Sequence, residues 1–104
     1  MGVTRGQIWV YTVGSRAFRM LIVSNDEHND FEELLPWGLA VERAGAESVL
    51  SVRLAAGDPL AGAFVMIPKV YRLDRTALRE NLGFVGNDTM NAVEYGLREF
   101  LVLP

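Results

Sequence analysis

Residues 7–23 read QIWVYTVGSRAFRMLIV, and the reading of this stretch decides the fold. Gln7 to Val13 is dense in aromatic and β-branched side chains, the composition of a strand. Gly14-Ser15 supplies turn chemistry. The chain then returns through Phe18 to Val23, apolar at nearly every position, as in a strand covered on both faces. Arg16 and Arg19 stand at the mouth of that returning strand. Three residues apart, they point to opposite faces of a regular strand; a bulge or turn at Ala17 would bring both to one side. The planar fork of arginine suits phosphate oxygens. The plain alternative is a pair of turn charges, kept in water or set against the acidic loop that follows.

Outward from this hairpin the pattern stays rich in strands. Trp37 to Val41 reads as a third strand, Ser48 to Leu54 as a fourth and Ala63 to Ile67 as a fifth. Pro68 lacks an N–H, so it marks a strand end, an edge or a bulge, and Val70 to Leu73 continues the sheet. Asp74 is placed to cap a first helix, in which Leu78 and Leu82 stack one turn apart before Gly83. Asn87 or Asp88 caps a second, whose Met90, Val93, Leu97, Phe100 and Leu101 form one stripe. Gly96 weakens that helix by about 1 kcal/mol against alanine, which points to a close approach to the sheet. Short strands followed by a terminal helix predict a small α+β or barrel-like domain with the helix on one side.

With 104 residues, the natural expectation is one domain over 1–104. There is no cysteine, hence neither a disulfide nor thiolate chemistry. No run approaches the ~20 apolar residues of a membrane helix, and the first residues lack the apolar stretch of a signal peptide. A soluble cytoplasmic protein with no membrane contact is expected. A core this small gains from a partner chain. The net charge of −3 argues against general electrostatic binding of nucleic acid, but leaves room for a local basic site on an acidic body. The single histidine, His28, reads as a solvated loop residue. Asp26, Glu27, Asp30, Glu32 and Glu33 lack the spacing and central glycine of a calcium loop, and neither metal nor cofactor is expected.

Three stretches carry a family resemblance. Arg5-Gly6-Gln7-Ile8-Trp9-Val10 resembles the R-G-D/E-I-W opening of the MazF/PemK toxin family, and RMLIVSND, Arg19 to Asp26, resembles its RPAVVVSND strand. Val65 to Leu101 is similar to its C-terminal pattern through Leu73-Asp74, Leu78, Leu82-Gly83, Thr89-Met90-Asn91-Ala92-Val93 and Leu97. The resemblance spans nearly the whole chain. It implies a mainly β, α+β fold: a small SH3-like, partly closed antiparallel β-barrel with a C-terminal helix, assembled as a homodimer. It also implies the toxin of a type II toxin–antitoxin pair, bound by a cognate antitoxin and cleaving single-stranded RNA without a metal. In that family an arginine heading the second strand works with a threonine ending the next. Carried over, this implies Arg19 for transition-state charge and Glu42, near the threonine position, as an acid or base. Arg16, Ser24 and Lys69 become the RNA contacts.

The sequence also departs from the family. Met20 stands where the family has proline, and anchoring on Ser24-Asn25-Asp26 instead sets Phe18 opposite the family's arginine. The threonine then falls on Glu42 or Val41, and the family's Asp-Gln after the fifth strand becomes Pro68-Lys69. One residue of register decides the cations' role. With Arg19 facing the site they are phosphate ligands; with Phe18 facing it, Arg16 and Arg19 are turn charges and the nuclease reading weakens with them. The short first hairpin resembles instead that of CcdB, a gyrase poison of the same fold. Its terminal Trp-Gly-Ile has no counterpart in Phe100-Leu101-Val102-Leu103-Pro104. The alternative reading is therefore a family member without the nuclease residues, acting as a protein-binding module toward gyrase or an antitoxin-like peptide.

Overall fold

The computed structural model describes residues 2–43, 47–48 and 50–104. Strands β1 (Gln7–Val13) and β2 (Arg16–Ile22) form the expected hairpin, in unbroken antiparallel register from Ile8 opposite Leu21 to Val13 opposite Arg16. β2 starts at Arg16 rather than Phe18, so Gly14 and Ser15 alone make the turn. Gly14 has φ +60°, and a glycine with positive φ at the first turn position matches the twist of the flanking strands. β2 continues across the sheet to β3 (Trp37–Glu42), then β5 (Phe64–Arg72), then the short β4 (Ser51–Arg53). On the other side of β1 lies β6 (Leu78–Phe84). The order β4-β5-β3-β2-β1-β6 is antiparallel throughout and is not closed, because among the described residues β4 and β6 each keep a free edge.

Alternation along the strands sends side chains to two faces. On one face Ile8, Leu21, Leu39, Val41, Val65 and Ile67 pack with Val93 of the terminal helix α2 (Asn87–Leu101). On the other, Trp9, Met20, Ile22, Leu73 and Leu78 form a second cluster, with Tyr11 and Phe18 at its margin. Both faces of β2 are thus covered at its Met20–Ile22 end, as its continuous apolar run required. α2 lies on β4 and β5. Val93 is fully buried there, and burial of such a side chain contributes roughly 1.5–3 kcal/mol. Met90 and Leu97 are half-buried beside it, while Phe100 and Leu101 at the end of the stripe are exposed. A Cβ at Gly96 would sit 3.1 Å from Ile67 Cδ1, so this glycine does permit the close approach of helix to sheet.

Four expectations change. The helix expected from Asp74 is one 3-10 turn, Arg75–Ala77, followed by strand β6. Asp74 does cap that turn, its carboxylate accepting from Thr76 N at 3.0 Å. Neither Asn87 nor Asp88 caps α2: Gly86 is the N-cap residue, with no side-chain cap hydrogen bond, and the Asp58 carboxylate instead ties the start of the helix to the loop before β5. Its oxygens accept from Gly86 N at 2.7 Å, Ala55 N at 2.7 Å and Thr89 Oγ1 at 2.5 Å. The fourth strand is shorter than Ser48 to Leu54, and Val49 lies outside the described residues. The acidic stretch also holds a short helix α1 (Asp26–Asn29), capped by Asn25, whose side chain accepts from His28 N at 2.7 Å. Among the described residues no helix is long and apolar enough to cross a membrane.

Candidate active site

The face of the sheet turned away from α2 carries a groove of about 540 Å³, where the first half of β2 meets the end of β1, the end of β3 and the second half of β5. Arg16, Phe18, Glu42, Lys69, Tyr71 and Arg72 line it. Even-numbered residues of β2 and β3 share this face with Met20 and Ala40, which fixes Arg16, Phe18 and Glu42 there. β5 reaches the same face through a bulge. Val65 pairs with Val41 but Val70 pairs with Leu39, so extra residues around Pro68 stand opposite Ala40. A bulge re-aims the side chains that follow it. Ile67 and Val70 both face the helix side, which leaves Lys69 and Tyr71 to the groove. Pro68, which has no N–H to place in a ladder, sits within that irregularity as expected.

Lys69 Nζ donates to Glu42 Oε2 at 2.5 Å. That hydrogen bond, partly offset by desolvation and reinforced by the carboxylate's charge, raises the lysine pKa, so the ammonium stays charged beside the carboxylate. The Arg16 guanidinium lies 5.2 Å from the centroid of the Phe18 ring, and that of Arg72 lies 5.9 Å from the Trp37 ring. Both distances fall within cation–π range. Neither arginine enters an ion pair among the described residues. The groove therefore offers two unpaired guanidinium groups, an ammonium paired to one carboxylate, and aromatic walls.

Of the residues singled out in the sequence, Arg16, Glu42 and Lys69 come together here. Arg19 does not join them. It pairs with Val10 and Val41 in an unbroken ladder, so no bulge at Ala17 rotates it onto the face of Arg16. It instead lines a smaller pocket on the opposite side. Ser24 is also elsewhere, beyond the far end of β2, roughly 25 Å from Arg16 at about 3.3 Å per residue. Its hydroxyl donates to Asn29 Oδ1 at 2.5 Å and accepts from Trp37 N at 3.0 Å, anchoring the start of β3. His28 is half-buried, and its Nε2 lies 2.7 Å from Leu35 O. Arg72, Tyr71 and Tyr11 were not singled out. Only the pairing of β5 with β3 brings Arg72 and Tyr71 to the groove.

No protein-family model matches the sequence, and no curated protein does. Solved structures do match. An endoribonuclease in complex with its cognate antitoxin, from a mycobacterial species, superposes with a TM-score of 0.88 at 28% identity, over 98% of this chain and 97% of that one. A mycobacterial endoribonuclease gives 0.88 at 27% identity, over 100% and 95%. MazE–MazF from Deinococcus radiodurans gives 0.85 at 19% identity, over 100% and 99%. The chain has the MazF-like fold. On this MazF-like chain the facing residue of β2 is Phe18, not Arg19. The cations do not both become turn charges as a result, because Arg16 shares the face of Phe18.

Proposed function

We propose that this MazF-like chain is the toxin of a type II toxin–antitoxin pair, neutralised by a cognate antitoxin, and that it cuts single-stranded RNA without a bound metal in the cytoplasm. The gathering of Arg16, Glu42 and Lys69 in one groove of this fold carries the reading. An RNA 2′-hydroxyl attacks the adjacent phosphorus as Glu42 takes its proton. The bond from phosphorus to the 5′ oxygen breaks, and that oxygen takes a proton from solvent. The products are a 2′,3′-cyclic phosphate and a 5′-hydroxyl. Arg16 and Lys69 stabilise the charge that develops on the phosphoryl oxygens. Lys69 also offsets the repulsion between the Glu42 carboxylate and the phosphate.

Arg16 takes the role the resemblance assigned to Arg19, because of these two β2 arginines only Arg16 lines the groove with Glu42 and Lys69. Incubation with mixed-sequence RNA in EDTA tests the reading. Sequence-dependent cuts bearing cyclic-phosphate ends are expected, and Arg16→Ala is expected to slow them on the order of 10²–10³-fold. Glu42→Gln is expected to slow them by about 10²–10⁴-fold. Absence of cuts at high protein concentration overturns the nuclease reading.

A further inference from the structure

We propose that the pocket on the reverse side of β2 and β3 is a second phosphate site, which grips the RNA flanking the segment held in the groove. The proposal rests on the RNA reading above. Arg19 and Arg43 line this pocket of about 200 Å³, over an apolar floor of Val41, Leu60 and Ala63. Both arginines are exposed, and neither enters an ion pair among the described residues. The two arginines outnumber the one carboxylate that lines the pocket, Glu42, and apolar walls focus the resulting positive field on an anion. The pocket is smaller than the ~300–1,000 Å³ of sites that enclose whole small molecules. It suits a phosphate with its sugar.

Its placement connects it to the groove. Phe18, Ala40 and Glu42 line both cavities, so the two meet around the end of β3. A flexible strand leaving the groove past that end moves from Arg16 and Lys69 to Arg19 and Arg43. A duplex is too stiff to follow that turn. Together the two cavities gather half of the chain's 10 lysines and arginines around one carboxylate, on a body whose net charge is −3. An acidic protein thus presents a basic track.

Fluorescence anisotropy with uncleavable 2′-O-methyl RNA tests this. Two probes are used, a tetranucleotide that fills the groove alone and a strand of about 14 nucleotides, spanning the usual range of single-strand site sizes. For the longer strand, Arg19→Ala/Arg43→Ala is expected to weaken binding about tenfold. The slope of log affinity against log salt should shrink by about 0.7, the value for one lost phosphate contact on a single strand. The tetranucleotide should lose less than twofold. Equal losses for both probes, or an unchanged slope for the long one, overturn the second site while leaving the groove reading intact. Wild-type protein that binds neither probe overturns both readings. A glutamate-rich peptide that binds through Arg19 and Arg43 when the long RNA does not would assign the pocket to a protein partner and overturn the proposal. Both side chains are exposed, and an unchanged melting temperature confirms that the double variant is folded.

Discussion

Glu42 and Lys69 are 27 positions apart in sequence and 2.5 Å apart in the groove. Nothing in either residue announces the other. What the sequence shows at this scale is chemical type: an arginine near a strand mouth, a carboxylate at a strand end, a lysine after a proline. Which way each points depends on register, and one slipped residue moves every side chain of a strand to the other face. That is why Arg16, and not Arg19, shares the groove with Glu42 and Lys69. The same remoteness hides the carboxylate that anchors the start of α2. Asp58 is buried, and burial alone would raise its pKa, but the hydrogen bonds from Thr89, Gly86 and Ala55 outweigh that and lower it below the ordinary 3.8. A carboxylate with a depressed folded-state pKa stabilises the fold above its unfolded pKa, and that contribution is lost as pH falls through the folded value. Asp58→Asn is therefore expected to cost about 1.5–3 kcal/mol at neutral pH. Urea unfolding across a pH series should show the gap between wild type and variant holding down to about pH 4 and closing below it. A gap that stays constant to pH 2 would mean that the charge is irrelevant and only shape matters.

The element least legible in the sequence is β6. Leu78 and Leu82 are four apart, a spacing that suits one face of a helix, and Gly83 resembles a helix stop. In the sheet, Leu78 joins the cluster of Trp9 and Met20, whereas Leu82 packs against the opposite core. The register between β1 and β6 shifts twice to allow this, once between Ile8 and Trp9 and once between Val10 and Tyr11. Gly83 pairs with Ile8 beside the first shift, at φ +110°, a conformation that favours glycine. Tertiary pairing overrode a local pattern of only two leucines. α2, by contrast, was legible because its stripe repeats over several turns and its glycine carried a packing signal. Gly96→Val tests that signal. Valine would press on Ile67, where even a Cβ falls at 3.1 Å, and the bulk should cost about 1–3 kcal/mol despite the better helix propensity. A urea midpoint equal to or above that of wild type would show that the helix shifts freely on β5. The bulge in β5 has its own consequence. Deleting Pro68 should restore regular alternation while keeping Lys69 on the groove beside Glu42, because Ile67 and Val70 already face the helix side. RNA cleavage is then expected to persist, whereas Lys69→Ala is expected to slow it by about 10²-fold, as for loss of a charge-stabilising donor, with thermal stability measured alongside.

At the scale of the whole molecule, an open sheet leaves backbone groups unpaired along β4 and β6, and exposed edges of this kind invite pairing with another chain. β6 is the longer edge, with Leu78 to Phe84 against the three residues of β4. Large apolar side chains are also left in water: Phe84 is 57% exposed, Tyr95 68% and Leu101 54%. A chain of this length buries a limited share of its own surface. A second copy can supply the missing cover, since a stable interface needs only about 800 Å² per partner, roughly an eighth of the 6355 Å² this chain exposes. We expect a homodimer built on the sheet edge and strand ends. The groove lies on residues of β1, β2, β3 and β5, and the smaller pocket on β2, the end of β3 and the chain just before β5; no residue of β6, at the edge beyond β1, lines either. Pairing at the β6 edge would therefore leave the groove of each copy open to RNA. Sedimentation equilibrium at micromolar concentration should give twice the 11.5 kDa chain mass, with RNA bound at one strand per copy under saturating conditions. A species at the single-chain mass would remove the dimer. A dimer that binds one strand in total would move the interface from β6 to the groove face.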